Sequence, residues 1–181
     1  MTKNNYKNDT KNIIAGKRKK LSNGFVNSPV YKGSTVLFNT VEEMQSKMKN
    51  KNSQTLFYGR FGSPATFEFE NAIADIDESY TAVATASGTA AIVASLLAVL
   101  KTGDHILMTD SAYGVSRNIT KKLLNNMGIT TTFYNPNLTN KIKELITNKT
   151  KLIFMESPGS LTFEIQNISM IVDIAKKYNL I

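Results

Sequence analysis

Apolar residues follow two different periods along the chain from about residue 66 onward. Short runs of aliphatic, β-branched and aromatic residues, such as His105–Met108 and Ile129–Tyr134, predict buried strands. Longer segments whose apolar residues recur every three or four positions, such as Val115–Met127 and Ile168–Tyr178, predict amphipathic helices. Strand and helix alternate at least four times in this region, an order typical of βαβ units. The pattern therefore predicts an α/β fold with a mostly parallel sheet and helices on both of its faces.

Further elements complete this arrangement. The run from Thr89 to Leu100 is apolar nearly all round, which predicts a buried helix rather than a surface helix. The other predicted elements are a short strand at Ser34–Phe38, a helix at Val41–Lys49 capped by Thr40, a helix from Phe67 to Asp77, a β-rich run at Tyr80–Thr85, a helix at Leu138–Ile146, a strand at Lys151–Met155 and the beginning of another strand at Leu180–Ile181.

Three segments of the chain differ in composition. Residues 1–20 carry seven Lys and Arg residues against a single Asp, and we expect them to be a disordered basic leader. Residues 21–65 are rich in Ser, Asn and Gly, which predicts an extended N-terminal arm. Residues 66–181 form a partial α/β domain. The alternative for the leader is an arm that binds nucleic acid or a membrane surface. Only Tyr6 supplies an aromatic side chain there, so we expect neither nucleic acid nor a membrane as a partner.

Composition excludes several kinds of site. The chain has no Cys, which excludes disulfides and thiolate metal sites, and its single His offers no imidazole pair for zinc or iron. We therefore expect no bound metal. No apolar run approaches the roughly 20 residues of a membrane helix, and the N-terminus lacks the apolar segment of a secretory signal, so we expect a cytoplasmic protein.

The motif Ser87-Gly88-Thr89 lies between the β-rich run and the apolar helix. Gly88 lets a ligand approach the backbone closely, and free N–H groups at the positive end of a helix dipole favour a phosphate. The alternative is a plain helix cap, in which Ser87 caps the helix and Gly88 makes the turn. The sequence contains neither GxGxxG nor GxxxxGK[ST], so a dinucleotide site or a P-loop has little support.

Other motifs place polar or aromatic groups on the arm and at strand ends. Tyr58-Gly59-Arg60 is either a surface turn or a phenol and a guanidinium that contact phosphate. Tyr113 follows a strand end, where its ring either stacks on a planar cofactor or packs the loop. The loop Glu156–Ser160 also follows a strand, as part of a ligand site or as an ordinary turn. For His105, at the start of a buried strand, we expect a structural role.

Together these segments resemble the Cys/Met-metabolism family of pyridoxal phosphate enzymes, the trans-sulfuration group. The segments that carry the resemblance are Leu56–Arg60, Ala86–Ala91, Asp110–Tyr113 and Met155–Glu164. The last is most similar to the cystathionine β-lyases, because γ-lyases and γ-synthases usually have an ESPTNP-like loop there. The resemblance implies a truncated aminotransferase-like (fold type I) large domain, preceded by an arm that makes dimer contacts.

The resemblance also implies a role for each matched residue. Tyr58 and Arg60 would reach across a dimer to the cofactor phosphate of the neighbouring subunit. The segment Ser87-Gly88-Thr89, with the backbone amides of its last two residues, would hold the phosphate of its own subunit. Tyr113 would stack on the pyridine ring and assist proton handling, as the catalytic residue.

The implied reaction is β-elimination from a sulfur amino acid such as cystathionine, which yields homocysteine, pyruvate and ammonia in methionine biosynthesis. The pyridinium Asp of the family would lie on the strand that begins at Leu180, and its Schiff-base Lys stands in a Ser-x-Thr-Lys setting that this sequence lacks. We therefore expect no useful lyase activity from the chain alone, and a partner that is a second copy or a separately encoded C-terminal half. A cystathionine γ-synthase or methionine γ-lyase fragment and a non-catalytic interaction protein are the alternatives.

Overall fold

The computed structural model of the chain describes residues 6–17, 23–50, 54–138 and 140–181. The chain divides into two compact units, residues 1–84 and residues 85–181. All strands found among the described residues lie in the second unit. In the described ranges, no helix has the length and apolar character needed to cross a membrane.

The regular elements among the described residues of the first unit are all helices. Its helices are α1 (Asn8–Ile14), α2 (Val41–Lys49) and α3 (Pro64–Ile76), with a short 3₁₀ helix at Gly59–Phe61. The Oγ1 atom of Thr40 accepts the N–H of Glu43 at 3.1 Å and so caps α2, and Ser63 caps α3 in the same way. The sequence analysis predicted both of these helices, and they are confirmed.

Helix α1 differs from the expectation that residues 1–20 are disordered. Gly16, just beyond the end of α1, donates its N–H to Oδ2 of Asp75 at 3.0 Å. The Nζ atom of Lys11 lies 2.8 Å from Oε1 of Glu78. Asp75 of α3 and Glu78 just after α3 therefore hold the α1 segment by polar contacts. The composition of residues 1–20 alone did not reveal these partners. Residues 1–5 and 18–20 of the predicted leader lie outside the described residues.

The second unit alternates helices and strands. Its elements are α4 (Gly88–Val99), β1 (His105–Thr109), α5 (Gly114–Asn118) with a π-helical continuation (Ile119–Leu124), β2 (Thr130–Tyr134), a 3₁₀ helix (Asn140–Leu145), β3 (Thr150–Phe154) and α6 (Ile168–Lys177). The strands form one parallel sheet in the order β2-β1-β3. The predicted α/β class with a parallel sheet is confirmed.

The central strand β1 builds two hydrophobic cores. All five of its residues are buried. Ile106 and Met108 pack on one face of the sheet with Leu96 of α4, and Leu107 packs on the other face with Ile171 of α6. Because successive side chains of a strand point to opposite faces, helices are needed on both sides of the sheet.

The outer edge of β3 pairs with the backbone at Ile181. The N–H of Ile153 donates to the carbonyl of Ile181 at 2.8 Å, and the N–H of Ile181 donates to the carbonyl of Lys151 at 3.1 Å. In a parallel pair, the N–H and the carbonyl of one residue bond to two residues of the neighbouring strand that are two positions apart, as Lys151 and Ile153 are here. The backbone at Ile181 therefore lies beside β3 as the predicted strand beginning at Leu180–Ile181 requires.

Helix α4 is less buried than the sequence predicted. Leu96 is its one buried residue, and the next residue, Leu97, is 40% exposed. A sheet covers only the side of a helix that faces it. A helix that is apolar all round therefore needs further neighbours, which the described residues of the second unit do not supply.

Two predicted β segments do not pair as strands. The carbonyl of Ser34, in the segment Ser34–Phe38, accepts the N–H of Gly59 at 2.7 Å. In the segment Tyr80–Thr85, the N–H of Ala84 donates to the carboxylate of Glu70 at 2.9 Å. The prediction of strands there was wrong, because β propensity produces a strand only where a neighbouring strand is available for pairing.

We predict that the packing of the Gly16 segment on α3 can be measured with two alanine substitutions. Gly16 (φ +71°) and Gly24 (φ +87°) both have a left-handed backbone, so an alanine costs about 1 kcal/mol of strain at either position. A Cβ at Gly16 would also lie 2.7 Å from the backbone N of Ala72, whereas nothing lies within 4 Å of that position at Gly24. We expect Gly16→Ala to lower the free energy of unfolding in urea by about 1–3 kcal/mol more than Gly24→Ala. Equal losses would contradict this packing.

We also predict that stability falls in mild acid because of His105. This residue is 6% exposed, and its Nδ1 and Nε2 atoms lie 2.8 Å from Oγ1 of Thr150 and 2.9 Å from Oγ1 of Thr132. Burial lowers the pKa of His105 below the usual 6.5. As the pH falls below 6.5, the unfolded chain therefore binds a proton before the folded chain does. The stability that the neutral imidazole of His105 contributes is fully present above pH 6.5, and it is lost as the pH falls toward the folded-state pKa.

Urea unfolding at a series of pH values between 7 and 5 would measure this loss. We expect the free energy of unfolding to fall over this interval in the unaltered chain and to change much less in His105→Asn, which cannot titrate. NMR titration of the single histidine gives its pKa directly. An imidazole pKa above 6.5, or the same pH slope in both chains, would rule out this explanation.

Candidate active site

The loops that follow the three strands enclose a cleft of ≈ 560 Å³. Carboxyl ends of parallel strands are where α/β sheets usually bind ligands. The residues that line the cleft are Asp110, Ser111, Ala112, Tyr113, Gly114 and Arg117 after β1, Asn135, Pro136 and Asn137 after β2, and Ser160, Leu161, Thr162 and Glu164 after β3. The volume suits a small molecule, and the many polar side chains suit a polar ligand.

Tyr113 lies at this cleft with its side chain about half exposed. It precedes the first residue of α5, with φ −48° and ψ 133°. Its backbone N–H donates to Oε2 of Glu156 at 2.9 Å. The carboxylate thus satisfies one of the N–H groups at the start of the helix, where negative charge is favourable. The loop Glu156–Ser160 and Tyr113, which the sequence predicted separately, are therefore in direct contact.

A second contact holds the same two loops together. The N–H of Ser160 donates to the carbonyl of Ser111 at 2.7 Å. A Cβ at Gly159 would lie only 2.7 Å from Cβ of Ser111 and 2.7 Å from Oε2 of Glu164. Only glycine fits between the loops without displacing them, so the approach of the β3 loop to the β1 loop depends on Gly159.

The outer part of the β3 loop has an unusual backbone. Leu161 and Phe163 both have positive φ, at 68° and 60°. Hydrogen bonds within the loop, between Gly159 N–H and Glu164 O and between Phe163 N–H and Gly159 O, hold this shape. Non-glycine residues in the left-handed region cost free energy, and such strain is concentrated at functional sites.

Gln166 anchors the end of this loop, and the sequence analysis missed it. Burial raises the pKa of the Tyr134 hydroxyl far above its usual range, so the hydroxyl remains a donor. It donates to Oε1 of Gln166 at 2.9 Å, and Nε2 of Gln166 donates to the carbonyl of Glu156 at 2.8 Å. A single Gln before a helix gives no sequence signal, because its importance depends on contacts with distant residues.

Arg117 is another cleft residue that the sequence analysis did not identify. Its Nη1 atom donates to the backbone carbonyl of Asp110 at 3.1 Å and lies 3.3 Å from Oδ1 of the same residue. Asn135 and Asn137, after β2, were also missed. The rule that ligands bind at strand ends would have identified the two Asn residues, because they directly follow a predicted strand.

The motif Ser87-Gly88-Thr89 both caps a helix and presents N–H groups without an acceptor among the described residues, the two alternatives that the sequence left open. The Oγ atom of Ser87 accepts the N–H of Ala90 at 3.1 Å, so Ser87 caps α4. The N–H groups of Gly88 and Thr89 have no acceptor in the described part of the chain, and nothing lies within 4 Å of a Cβ at Gly88. These residues are exposed and are not among those that line the cleft.

Tyr58 and Arg60 belong to the first unit, whereas the other predicted site residues belong to the second. The guanidinium carbon of Arg60 lies 5.2 Å from the ring centre of Tyr58 and 5.7 Å from that of Phe61. Gly59 donates its N–H to Ser34, and a Cβ at Gly59 would lie 2.5 Å from the carbonyl oxygen of Gly33. This glycine therefore fixes the turn that displays the phenol and the guanidinium.

The residues present fit a cofactor that combines a phosphate with a flat aromatic ring. Two free backbone N–H groups at the positive end of the twelve-residue helix α4 suit a phosphate. The half-exposed ring of Tyr113 suits stacking. The polar groups of the cleft suit the charged ends of an amino acid.

Known proteins are similar to this chain in sequence and in fold. The cystathionine beta-lyase of Salmonella typhimurium is 36% identical over 169 residues, which are 93% of this chain and 43% of that protein. The cystathionine beta-lyase MetC of Escherichia coli is 36% identical over 164 residues, which are 91% of this chain and 42% of that protein. The chain therefore spans less than half the length of these relatives.

A solved structure gives the same result for the fold. The cystathionine gamma-lyase from Lactobacillus plantarum complexed with L-serine superimposes with a TM-score of 0.84 at 25% identity, over 97% of this chain and 43% of that structure. The fold is accordingly that of the fold type I lyases that depend on pyridoxal phosphate. The family model described as "Cys/Met metabolism PLP-dependent enzyme" matches residues 9–181. Because the match covers nearly the whole chain, it includes α1 and the arm as well as the sheet, and the chain belongs to the family of Cys/Met-metabolism enzymes that depend on pyridoxal phosphate.

Proposed function

We propose that this chain forms the N-terminal part of the active site of a carbon–sulfur lyase similar to cystathionine β-lyase. The observation that carries the proposal is the half-exposed ring of Tyr113 at a polar cleft at the carboxyl ends of parallel strands, on a residue whose backbone N–H donates to Glu156. The proposed reaction converts L-cystathionine to homocysteine, pyruvate and ammonia by β-elimination. The 36% identity to two cystathionine β-lyases supports this substrate over others.

We assign the phosphate of pyridoxal phosphate to the first turn of α4. The N–H groups of Gly88 and Thr89 are free to donate, and charge-assisted hydrogen bonds to a phosphate are roughly twice as strong as neutral ones. Ser87 contributes by capping the helix, which keeps this first turn in place. No basic side chain is needed at this position, because the helix dipole already favours an anion.

We assign to Tyr113 the roles of stacking partner and proton carrier. When bound, pyridoxal phosphate would supply an electron-accepting ring, which makes the α-hydrogen of an amino acid acidic. The bond from the N–H of Tyr113 to Glu156 fixes the backbone of this residue and leaves its phenol free to exchange a proton with substrate.

We propose that Tyr58 and Arg60 act on a second copy of the chain. Both side chains are on a turn fixed by Gly59, and Arg60 is exposed. A planar guanidinium suits bidentate contact with phosphate. The working enzyme would then be a homo-oligomer in which each arm completes the site of its neighbour.

The remaining groups of the site must come from other sequence. No lysine of this chain has the Ser-x-Thr-Lys setting that the family resemblance leads us to expect. We propose that sequence equivalent to the other half of the relatives supplies this lysine and the pyridinium Asp, on the same polypeptide or on a separate one. The cytoplasmic location remains a prediction.

A γ-acting enzyme is the second candidate. The superposition on a cystathionine γ-lyase favours it, because the fold does not distinguish β- from γ-elimination. The L-methionine gamma-lyase of Fusobacterium nucleatum is 31% identical to this chain over 163 residues, below the 36% of the two β-lyases, and this order places a γ-acting enzyme second.

Reductive trapping tests the proposed function. The chain is incubated with pyridoxal phosphate and reduced with borohydride, alone and with the C-terminal part of MetC from Escherichia coli, and adducts are mapped by mass spectrometry. We expect no stoichiometric adduct on the chain alone and one lysine adduct on the added part. A single stoichiometric adduct on a lysine of this chain would overturn the proposed division of the site.

We predict that the first turn of α4 can be tested with a matched pair of substitutions at Gly88. Gly88→Pro removes the N–H, and a proline is tolerated at the first helical position, particularly here because the preceding Ser87 is extended (φ −164°, ψ 161°). Gly88→Ala keeps the N–H and fits, because nothing lies within 4 Å. We expect Gly88→Pro to weaken binding of pyridoxamine phosphate, measured by calorimetry, roughly tenfold or more, and Gly88→Ala to have little effect.

The specificity of this effect can be checked with pyridoxamine, which lacks the phosphate. Neither substitution at Gly88 should change its affinity. If Gly88→Pro and Gly88→Ala weaken pyridoxamine phosphate equally, the N–H of Gly88 is not a phosphate ligand.

A further inference from the structure

Gln166 is buried, and each of its polar groups has a partner. The residue is 4% exposed. Its backbone N–H donates to Oγ of Ser157 at 3.0 Å, its Nε2 atom donates to the carbonyl of Glu156 at 2.8 Å, and its Oε1 atom accepts the hydroxyl of Tyr134 at 2.9 Å. A buried amide with all of its groups satisfied has one orientation, because any other orientation leaves a desolvated polar atom without a partner.

The donor or acceptor character of its neighbours determines which side of the Gln166 amide holds the oxygen and which holds the NH₂ group. The carbonyl of Glu156 can only accept, so it requires the NH₂ group of Gln166. The hydroxyl of Tyr134 then donates to the remaining oxygen, which agrees with a phenol that burial keeps protonated. The amide thus joins the ends of β2 and β3 in one defined geometry.

Glu156 connects Gln166 to Tyr113. Glu156 receives the amide of Gln166 on its backbone carbonyl and the N–H of Tyr113 on its carboxylate, at 2.8 Å and 2.9 Å. The carboxylate that accepts the N–H of Tyr113 thus belongs to the residue whose backbone carbonyl Gln166 holds. The order of contacts is therefore Tyr134, Gln166, Glu156 and Tyr113.

We propose that Gln166 is a positioning residue for Tyr113. By holding the carbonyl of Glu156, it positions the carboxylate that accepts the N–H of Tyr113, and so sets the backbone from which the ring projects at the cleft. The importance of this placement for reaction rests on the proposed function, whereas the placement itself does not.

Amide hydrogen exchange of the ¹⁵N-labelled full chain without cofactor tests the proposal. The variants are Gln166→Met, Glu156→Ala and the double variant. Methionine has a volume similar to that of glutamine, but it has no donor and its thioether sulfur is only a weak acceptor. The matched control is Gln45→Met, the same chemical change at an exposed position of α2. The probes are the amide of Tyr113 and, as a global reference, the amides of β1.

We expect Gln166→Met to raise the exchange rate of the Tyr113 amide roughly tenfold. The β1 amides exchange through unfolding of the sheet, so they are accelerated only as far as the variant lowers overall stability. Gln45→Met should have no effect. Because Gln166 acts through Glu156, adding Gln166→Met to Glu156→Ala should cause no further increase. An unchanged rate for Tyr113 in Gln166→Met, or additive effects in the double variant, would overturn the proposal.

Gln166→Glu covers the case in which the methionine variant unfolds. This variant keeps an acceptor for the Tyr134 hydroxyl and loses the NH₂ group that Glu156 requires. A faster Tyr113 amide supports the proposal if adding Glu156→Ala to Gln166→Glu gives the same rate as Glu156→Ala alone. An unchanged Tyr113 amide, or additive effects in that double variant, overturns it. Because no cofactor is present, this result is independent of the test at Gly88, so a failure of phosphate binding and a failure of the positioning role can be distinguished.

Discussion

Parallel pairing of β1 with both of its neighbours is the constraint on which the rest of the second unit depends. Every connection between parallel strands must cross from one end of the sheet to the other, so helical segments cover the faces and both faces become core. The carboxyl ends of β1, β2 and β3 then meet at one edge. The cleft is a consequence of this topology, because three loops of different composition have to share that edge.

Hydrogen bonds to backbone groups, rather than apolar packing, hold these loops together. Tyr113 is held by its N–H, Ser160 by its N–H and Glu156 by its carbonyl. Because each of these bonds has a fixed partner, the loops can tolerate the strained backbone at Leu161 and Phe163, whose cost would otherwise favour a relaxed loop. Toward the amino ends of the strands, the imidazole of His105 hydrogen-bonds to the hydroxyls of Thr132 and Thr150. Polar side chains therefore connect neighbouring strands at both ends of the sheet.

Local patterns were enough to predict the elements whose stability is local or that lie in the sheet. Thr40 and Ser63 cap the predicted helices, and the fully buried β1 lies where the apolar run predicted it. Predictions failed where the outcome depends on a distant partner. Ser34 and Ala84 have β-compatible surroundings in sequence but bond to Gly59 and Glu70 instead of to a strand. Gln166 could not be identified for the same reason, since its role exists only once Tyr134 and Glu156 are beside it. The roles of Tyr58, Arg60 and Tyr113 remain predictions.

Helix α4 links the stability of the second unit to its proposed site. The free N–H groups of Gly88 and Thr89 lie on its first turn, whereas its one buried residue, Leu96, lies near the other end. The first turn is therefore held mainly by the Ser87 cap and by the continuity of the helix. An aliphatic helix with so little burial gains stability from any surface that covers it, at roughly 25 cal/mol for each Å² removed from water. Covering α4 would also immobilise the N–H groups of Gly88 and Thr89. Burial of the apolar surface of α4 and preorganisation of the phosphate site would therefore occur together.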